Sequence, residues 1–172
     1  MMMQMIEAGG IEPVTDNQRV ADEDNLRGYY ELDAIKKTKE DASWLEDSVG
    51  KAAKVIYMLL YDLPADYEYR VVFMNRNLDE VLASQSKMLE RRGQDGASVS
   101  NEKLKDIFQQ QLDKCIDWLA DQSSFSVLQI QHLDAIQSPA KVASAVNQFL
   151  AGDLDEAKMA AVVQPDLYRQ RI

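Results

Sequence analysis

The sequence has very few of the residues that build disulfide-stapled or zinc-stabilised folds. It contains one cysteine, Cys115, and one histidine, His132, among 172 residues. A single cysteine cannot form an intramolecular disulfide, and a zinc site made of cysteines or histidines needs several such ligands. The sequence therefore excludes a disulfide framework and a zinc domain of this kind, and we expect no resident metal.

Glycine, proline and long apolar runs are also scarce. Seven glycines and four prolines, with 46% apolar and 28% charged residues, exclude a collagen-like, low-complexity or disordered chain. No apolar run reaches the roughly 18 residues of a transmembrane helix, and the N-terminus lacks the basic region and apolar core of a signal peptide. We therefore expect one globular domain over residues 1–172, cytoplasmic and without a membrane partner.

Basic residues are in the minority. The chain has 19 lysines and arginines against 29 aspartates and glutamates, which gives a formal net charge of −10. Because nucleic-acid-binding proteins attract phosphate with positive charge, this balance argues against a nucleic-acid partner. Residues 70–92 depart from it, since they carry five basic and three acidic residues. An anionic ligand is therefore expected at that segment.

The apolar pattern predicts strands that alternate with helices. Strands are predicted within 11–16, 52–60, 69–74 and 126–131, and helices within 31–47, 77–92 and 101–121, from Pro139 to Gly152, and within 153–161. Such alternation favours an α/β fold in which helices flank a mainly parallel sheet. Ligands of such folds bind beyond the carboxyl ends of the strands.

The first ten residues, Met1–Gly10, have the pattern of the end of a helix. Methionine, glutamine, isoleucine and alanine tolerate a helix, and a pair of glycines stops one. No capping residue precedes them in the sequence. The segment is interpreted either as a frayed helix packed on the core or as the remainder of a longer element.

The junction of the strand 69–74 with the helix 77–92 is the best candidate binding site. The N-terminus of a helix attracts anions, and Arg76 supplies a bidentate donor at that point. Ser84 lies on the order of 10 Å along the helix, at a rise of about 1.5 Å per residue. Both would reach one phosphate only if it lay beside the first two helical turns. The alternative is that Arg76 caps a strand end and Ser84 lies on a solvated face.

The residues from Tyr69 to Gln85 resemble the 3′-phosphate-binding segment of sulfotransferases. In that family an aromatic-rich strand ends in Arg-Asn, and a serine follows eight residues after the arginine; Arg76 and Ser84 match these positions. The resemblance implies that this pair binds the 3′-phosphate of 3′-phosphoadenosine 5′-phosphosulfate (PAPS) or of its product, 3′,5′-adenosine bisphosphate. Residues 51–92 are similar to the bacterial branch of the family. Residues 127–134 resemble a later strand, with His132 where a tyrosine is commoner.

The resemblance implies a P-loop-like three-layer fold and transfer of a sulfuryl group from PAPS to a hydroxyl or amine of a small-molecule or protein acceptor. Family members carry a Pro-Arg-Ser-Gly-Thr-Ser type of loop before a helix similar to Met1–Gly10. We therefore expect that the chain lacks the first strand and this loop, and that its catalysis is impaired. The alternatives are a non-catalytic nucleotide-binding or interaction module and a fragment of a longer open reading frame.

Two residues are candidates for catalysis through the same resemblance. Lys54 resembles the lysine of the Lys-Thr-His segment that binds the transferring sulfuryl group, although Val55 and Ile56 follow it here. Asp16 stands roughly where some sulfotransferases place a carboxylate base. The alternatives are a solvated lysine before a strand and a turn-forming aspartate.

Weaker candidates lie elsewhere in the chain. His132 is interpreted as a strand-end residue rather than a base. A solvated acidic loop, or a surface for a basic acceptor, is predicted at Asp22, Glu23 and Asp24. Arg169 and Arg171 would either close on a phosphate or form a basic tail.

Overall fold

The fold is described from a computed structural model, for residues 1–18, 28–91, 100–150 and 152–164. The predicted acidic loop at Asp22–Asp24 and the basic residues Arg169 and Arg171 lie outside these ranges. The sequence also predicts a flexible loop over 93–100, of which 93–99 lie outside them. Within the described ranges, the structure contains no helix with the length and apolar character needed to cross a membrane.

The strands of the described chain form two parallel pairs. β1 (Pro13–Val14) pairs with β2 (Ala52–Ala53), and β3 (Tyr69–Asn75) pairs with β4 (Phe125–Gln131). The helices are α1 (Met2–Gly9), α2 (Leu78–Arg91), α3 (Asn101–Ala120), α4 (His132–Gln137), α5 (Pro139–Leu150) and α6 (Glu156–Ala161). Short 3₁₀ helices cover Asp33–Lys37, Ser43–Ser48 and Tyr57–Asp62. The predicted α/β class with parallel strands is thus confirmed.

β3 and β4 end at the same level. Their register places Tyr69 opposite Phe125 and Asn75 opposite Gln131. The rings of Tyr69 and Phe125 stack at a centroid distance of 4.7 Å, which closes the amino end of the pair. The residues that follow Asn75 and Gln131 therefore emerge side by side at the carboxyl end.

Each face of the β3–β4 pair packs against a separate apolar core. Val72 and Met74 contact the first core, whose buried residues come mainly from α1, α5 and α6: Met2, Met5, Ile6, Ile130, Ala135, Val142, Ala143, Val146 and Met159. Val71 and Phe73 belong to the second core, with Leu60, Cys115 and Leu119. Burial on both faces explains why these strands are nearly continuous apolar runs in the sequence.

The N-terminal methionines form a helix of the core. Met5 is fully buried. Gly10 is the C-cap of α1, and its φ of 115° is accessible to glycine but strained for other residues. A Cβ at Gly9 would lie 2.8 Å from Cγ of Met159, so the Met159 side chain of α6 packs directly against the backbone of α1. The predicted glycine stop is confirmed, and α1 packs on the core.

The predicted strand over 52–60 is wrong beyond its first residues. The strand covers Ala52–Ala53, and a 3₁₀ helix begins at Tyr57. Side chains three residues apart share a face of a 3₁₀ helix. Accordingly Tyr57 and Leu60 face the second core, whereas Met58 is 55% exposed and Tyr61 is 44% exposed. An unbroken apolar run does not distinguish this arrangement from a buried strand.

Candidate functional site

The predicted strand–turn–helix junction is present. β3 ends at Asn75 and α2 begins at Leu78, so Arg76 and Asn77 form the turn. Asn77 caps the helix, because its Oδ1 accepts a hydrogen bond from the Asp79 N–H at 2.8 Å. The turn therefore holds Arg76 at the carboxyl end of β3, one residue before the cap.

Arg76 forms an ion pair with a residue in the first turn of α2. Its Nε donates to Oε2 of Glu80 at 3.2 Å, and the Glu80 side chain is only 6% exposed. A buried carboxylate is costly unless it has a partner, so Arg76 has a structural role here. No described residue accepts a hydrogen bond from its two terminal guanidinium nitrogens. These nitrogens are the donors that a phosphate would use.

Ser84 lies two turns further along α2. It is half-buried, and its hydroxyl makes no hydrogen bond with a described residue. The structure places Ser84 on the helix that Arg76 precedes, but no contact joins the two side chains. That one phosphate reaches both side chains from beside the helix stays a prediction.

His132 lies beside Arg76 because the β3–β4 register brings both strand ends together. Burial lowers the pKa of His132 below its ordinary value of 6.5, and the positive charge of Arg76 lowers it further. The carboxylate of Glu80 opposes this shift. The His132 imidazole is therefore neutral near neutral pH. It stands at the start of α4, a helix that the apolar pattern of the sequence does not predict.

The depressed pKa of His132 predicts a pH-dependent stability. Between its ordinary and its lowered pKa the unfolded chain binds the proton and the folded chain does not, so stability falls as pH decreases. We expect the wild type to lose stability as the pH falls past 6.5, the ordinary pKa of histidine, as measured by urea unfolding. His132→Gln should flatten this loss, since the chain has no other histidine. An unchanged slope in the variant would contradict the assignment.

The carboxylate of Asp16 accepts hydrogen bonds from two backbone amides. Its Oδ1 accepts from the Gln18 N–H at 3.0 Å and its Oδ2 accepts from the Asp33 N–H at 2.8 Å. These two hydrogen bonds lower the pKa of the carboxyl. A carboxylate that is more acidic and already bonded is a poorer general base. The geometry favours the turn-forming alternative for Asp16.

Lys54 is paired at the carboxyl end of β2. Its Nζ lies 3.3 Å from Oε1 of Glu31 and 5.9 Å from the ring centroid of Tyr29. The backbone carbonyl of Glu31 also accepts from the Asp16 N–H at 3.1 Å. Lys54 and Asp16 therefore meet at the segment 28–33, and no hydrogen bond or ion pair of the described chain joins either to Arg76 or Ser84.

The pairing of Glu80 with Arg76 is the feature of the site that the sequence analysis does not anticipate. The two residues are four positions apart across a helix start, a spacing at which opposite charges meet. In the sequence, this i, i+4 spacing of an arginine and a glutamate is the signal that predicts such an ion pair.

In the described chain, no cluster of three or more histidine, cysteine, aspartate or glutamate side chains could hold a metal ion.

Comparisons of the chain with protein-family models, with curated proteins and with solved structures find no match. The function of the chain is therefore inferred from the geometry of this junction and from the residues that form it.

Proposed function

We propose that the chain binds a 3′-phosphorylated adenine nucleotide, PAPS or 3′,5′-adenosine bisphosphate, at the junction of β3 and α2, as a sulfotransferase-like protein. The observation that carries the proposal is the position of Arg76. It lies at the carboxyl end of a parallel strand, directly before a capped helix. Its two terminal guanidinium nitrogens donate a hydrogen bond to no described residue. Ligands of parallel α/β sheets bind at this edge.

Three groups would share the phosphate. The terminal nitrogens of Arg76 form a bidentate pair, and the positive end of the α2 dipole faces the same turn. The Ser84 hydroxyl would donate from the second turn of the helix. His132 lies near Arg76, and its lowered pKa keeps it neutral, so it adds no positive charge for the phosphate.

We propose further that the β3–β4 pair belongs to a P-loop-like three-layer architecture. Its support is the parallel pairing of the two strands and the burial of both of their faces. α1, α5 and α6 contribute the core on one face, and α3 contributes the core on the other. β1 and β2 form a separate short parallel pair that contacts α1.

Calorimetry with 3′,5′-adenosine bisphosphate tests the nucleotide site. We expect weak binding by wild type and a loss of at least about tenfold, or about 1.4 kcal/mol, in Arg76→Ala. Ser84→Ala should weaken binding less, because it removes one neutral donor. Arg70→Ala is the matched control: it removes an arginine from the same strand whose guanidinium donates to the Phe149 carbonyl at 3.1 Å.

The Arg76→Ala variant also removes the ion pair between Arg76 and the buried Glu80, and a folding defect would reveal the structural cost of that loss. The double variant Arg76→Gln, Glu80→Gln removes both charges and leaves a neutral pair, so binding can be measured on a folded protein. Equal nucleotide affinity of wild type and either Arg76 variant would refute the role of Arg76.

A non-catalytic binding module is the second candidate function. The observation in its favour is that Asp16 and Lys54 are engaged elsewhere, Asp16 by two backbone amides and Lys54 by Glu31. We expect the 172-residue chain to transfer no labelled sulfuryl group from PAPS to simple phenol or amine acceptors. Robust turnover would contradict this reading and would restore an acid–base role for these residues.

A further inference from the structure

A groove beside α1 differs in chemistry from the Arg76 junction. Its volume is about 400 Å³, and it is lined by Gln4, Glu7, Ala8, Tyr30 and Val162. The first three residues have the i, i+3, i+4 spacing of one helix face, so they form a continuous wall. Tyr30 comes from the segment before the first 3₁₀ helix, and Val162 directly follows α6. Three separate parts of the chain thus define the groove.

The described lining of the groove carries negative charge. Glu7 is the only charged residue among these five, and it is exposed to solvent. Its Oε2 accepts a hydrogen bond from the Tyr30 hydroxyl, which orients the carboxylate. No described residue donates to Oε1 of Glu7. One carboxylate oxygen is therefore held in place and the other is available to a ligand.

The remaining walls combine one further polar group with apolar surface. The Gln4 side-chain amide makes no hydrogen bond with a described residue, so its carbonyl oxygen can accept from a ligand. Ala8, Val162 and the ring of Tyr30 are apolar surfaces. Ligand sites usually combine such apolar walls with a few polar groups that fix orientation.

We propose that this groove binds a small organic cation, a primary amine joined to an apolar body. The ammonium group donates to Oε1 of Glu7 and to the Gln4 carbonyl oxygen, while the apolar body lies against Ala8 and Val162. The chain's net charge of −10 disfavours an anionic ligand at the same place. The proposal stands apart from the nucleotide site, because none of its lining residues belongs to the β3–α2 junction.

Titration of nitrogen-15-labelled protein with phenethylamine tests the proposal. We expect a dissociation constant on the order of 1 mM, as suits a ligand of this size. The amide signals of residues 4–8 and of Tyr30 and Val162 should shift. 3-Phenylpropionate has a similar ring and chain but the opposite charge, and it should not bind.

Glu7→Gln removes the charge and keeps the shape, and it should weaken phenethylamine binding about tenfold or more. Glu46→Gln is the matched control, since Glu46 is an exposed glutamate away from the groove and should leave the affinity unchanged. Thermal melts should show both variants folded. The proposal fails if the amine and the carboxylate bind equally, if Glu7→Gln binds the amine as wild type does, or if the shifts lie outside the groove.

Discussion

Leu119→Ala should lower the free energy of unfolding by about 2 to 5 kcal/mol. Leu119 is 1% exposed in the second core, where it packs with Leu60, Phe73 and Cys115. Truncation there removes buried apolar surface and leaves a cavity that a closely packed core fills only in part. Urea unfolding followed by far-ultraviolet circular dichroism gives the difference.

Ile107→Ala is the control on the same helix. The apolar spacing of α3 predicts that Ile107 and Leu119 both point inward, but Ile107 is 38% exposed. We expect a cost of less than about 1 kcal/mol at Ile107, because surface substitutions are usually mild. Equal costs at the two positions would mean that α3 does not pack on the β3–β4 pair through its C-terminal half.

Met5→Ala should be nearly as damaging, again about 2 to 5 kcal/mol. Met5 is fully buried between the β3–β4 pair and the helices α5 and α6, so its loss opens the centre of the first core. Chemical denaturation midpoints are compared between Met5→Ala and Met3→Ala. Because both variants make the same change on one helix, the difference reports the effect of burial on stability and not that of helix propensity.

Met3 is only half-buried, and its truncation should cost clearly less. If both methionine variants unfold like wild type, α1 is not part of the core in solution. That outcome would also remove the wall of the groove beside α1, since Gln4, Glu7 and Ala8 depend on the same helix.

The parts of the fold that follow from local pattern are predictable from the sequence. β3 is a short run of β-branched and aromatic residues, α2 starts directly after a capping residue, and Pro139 stands at the start of α5. These signals depend on neighbours in the sequence, and the structure follows them to within a residue or two. The run 52–60 is different, because its apolar composition suits a buried strand and a 3₁₀ helix equally well.

Some features of the candidate site likewise follow from the local sequence, and others do not. The position of Arg76 follows from the strand–turn–helix pattern around it. The environments of Asp16 and Lys54 depend on Glu31, which lies 23 residues from Lys54 in the sequence. Nothing in the local pattern of either residue reports a partner at that distance. The contact of Asp16 with the Gln18 N–H is a local turn, whereas its contact with the Asp33 N–H, 17 residues away, is a tertiary property.

The direct contact of α1 with α6 has a consequence for the time course of folding. Gly9 touches Met159, and the Asp155 N–H donates to the Gly9 carbonyl at 3.1 Å, so the first described helix packs against the last described one. During synthesis the face of α1 that packs against α6 stays uncovered until residues 156–161 have emerged. Contacts of such long sequence separation slow folding, and the uncovered surface is open to aggregation or to a chaperone.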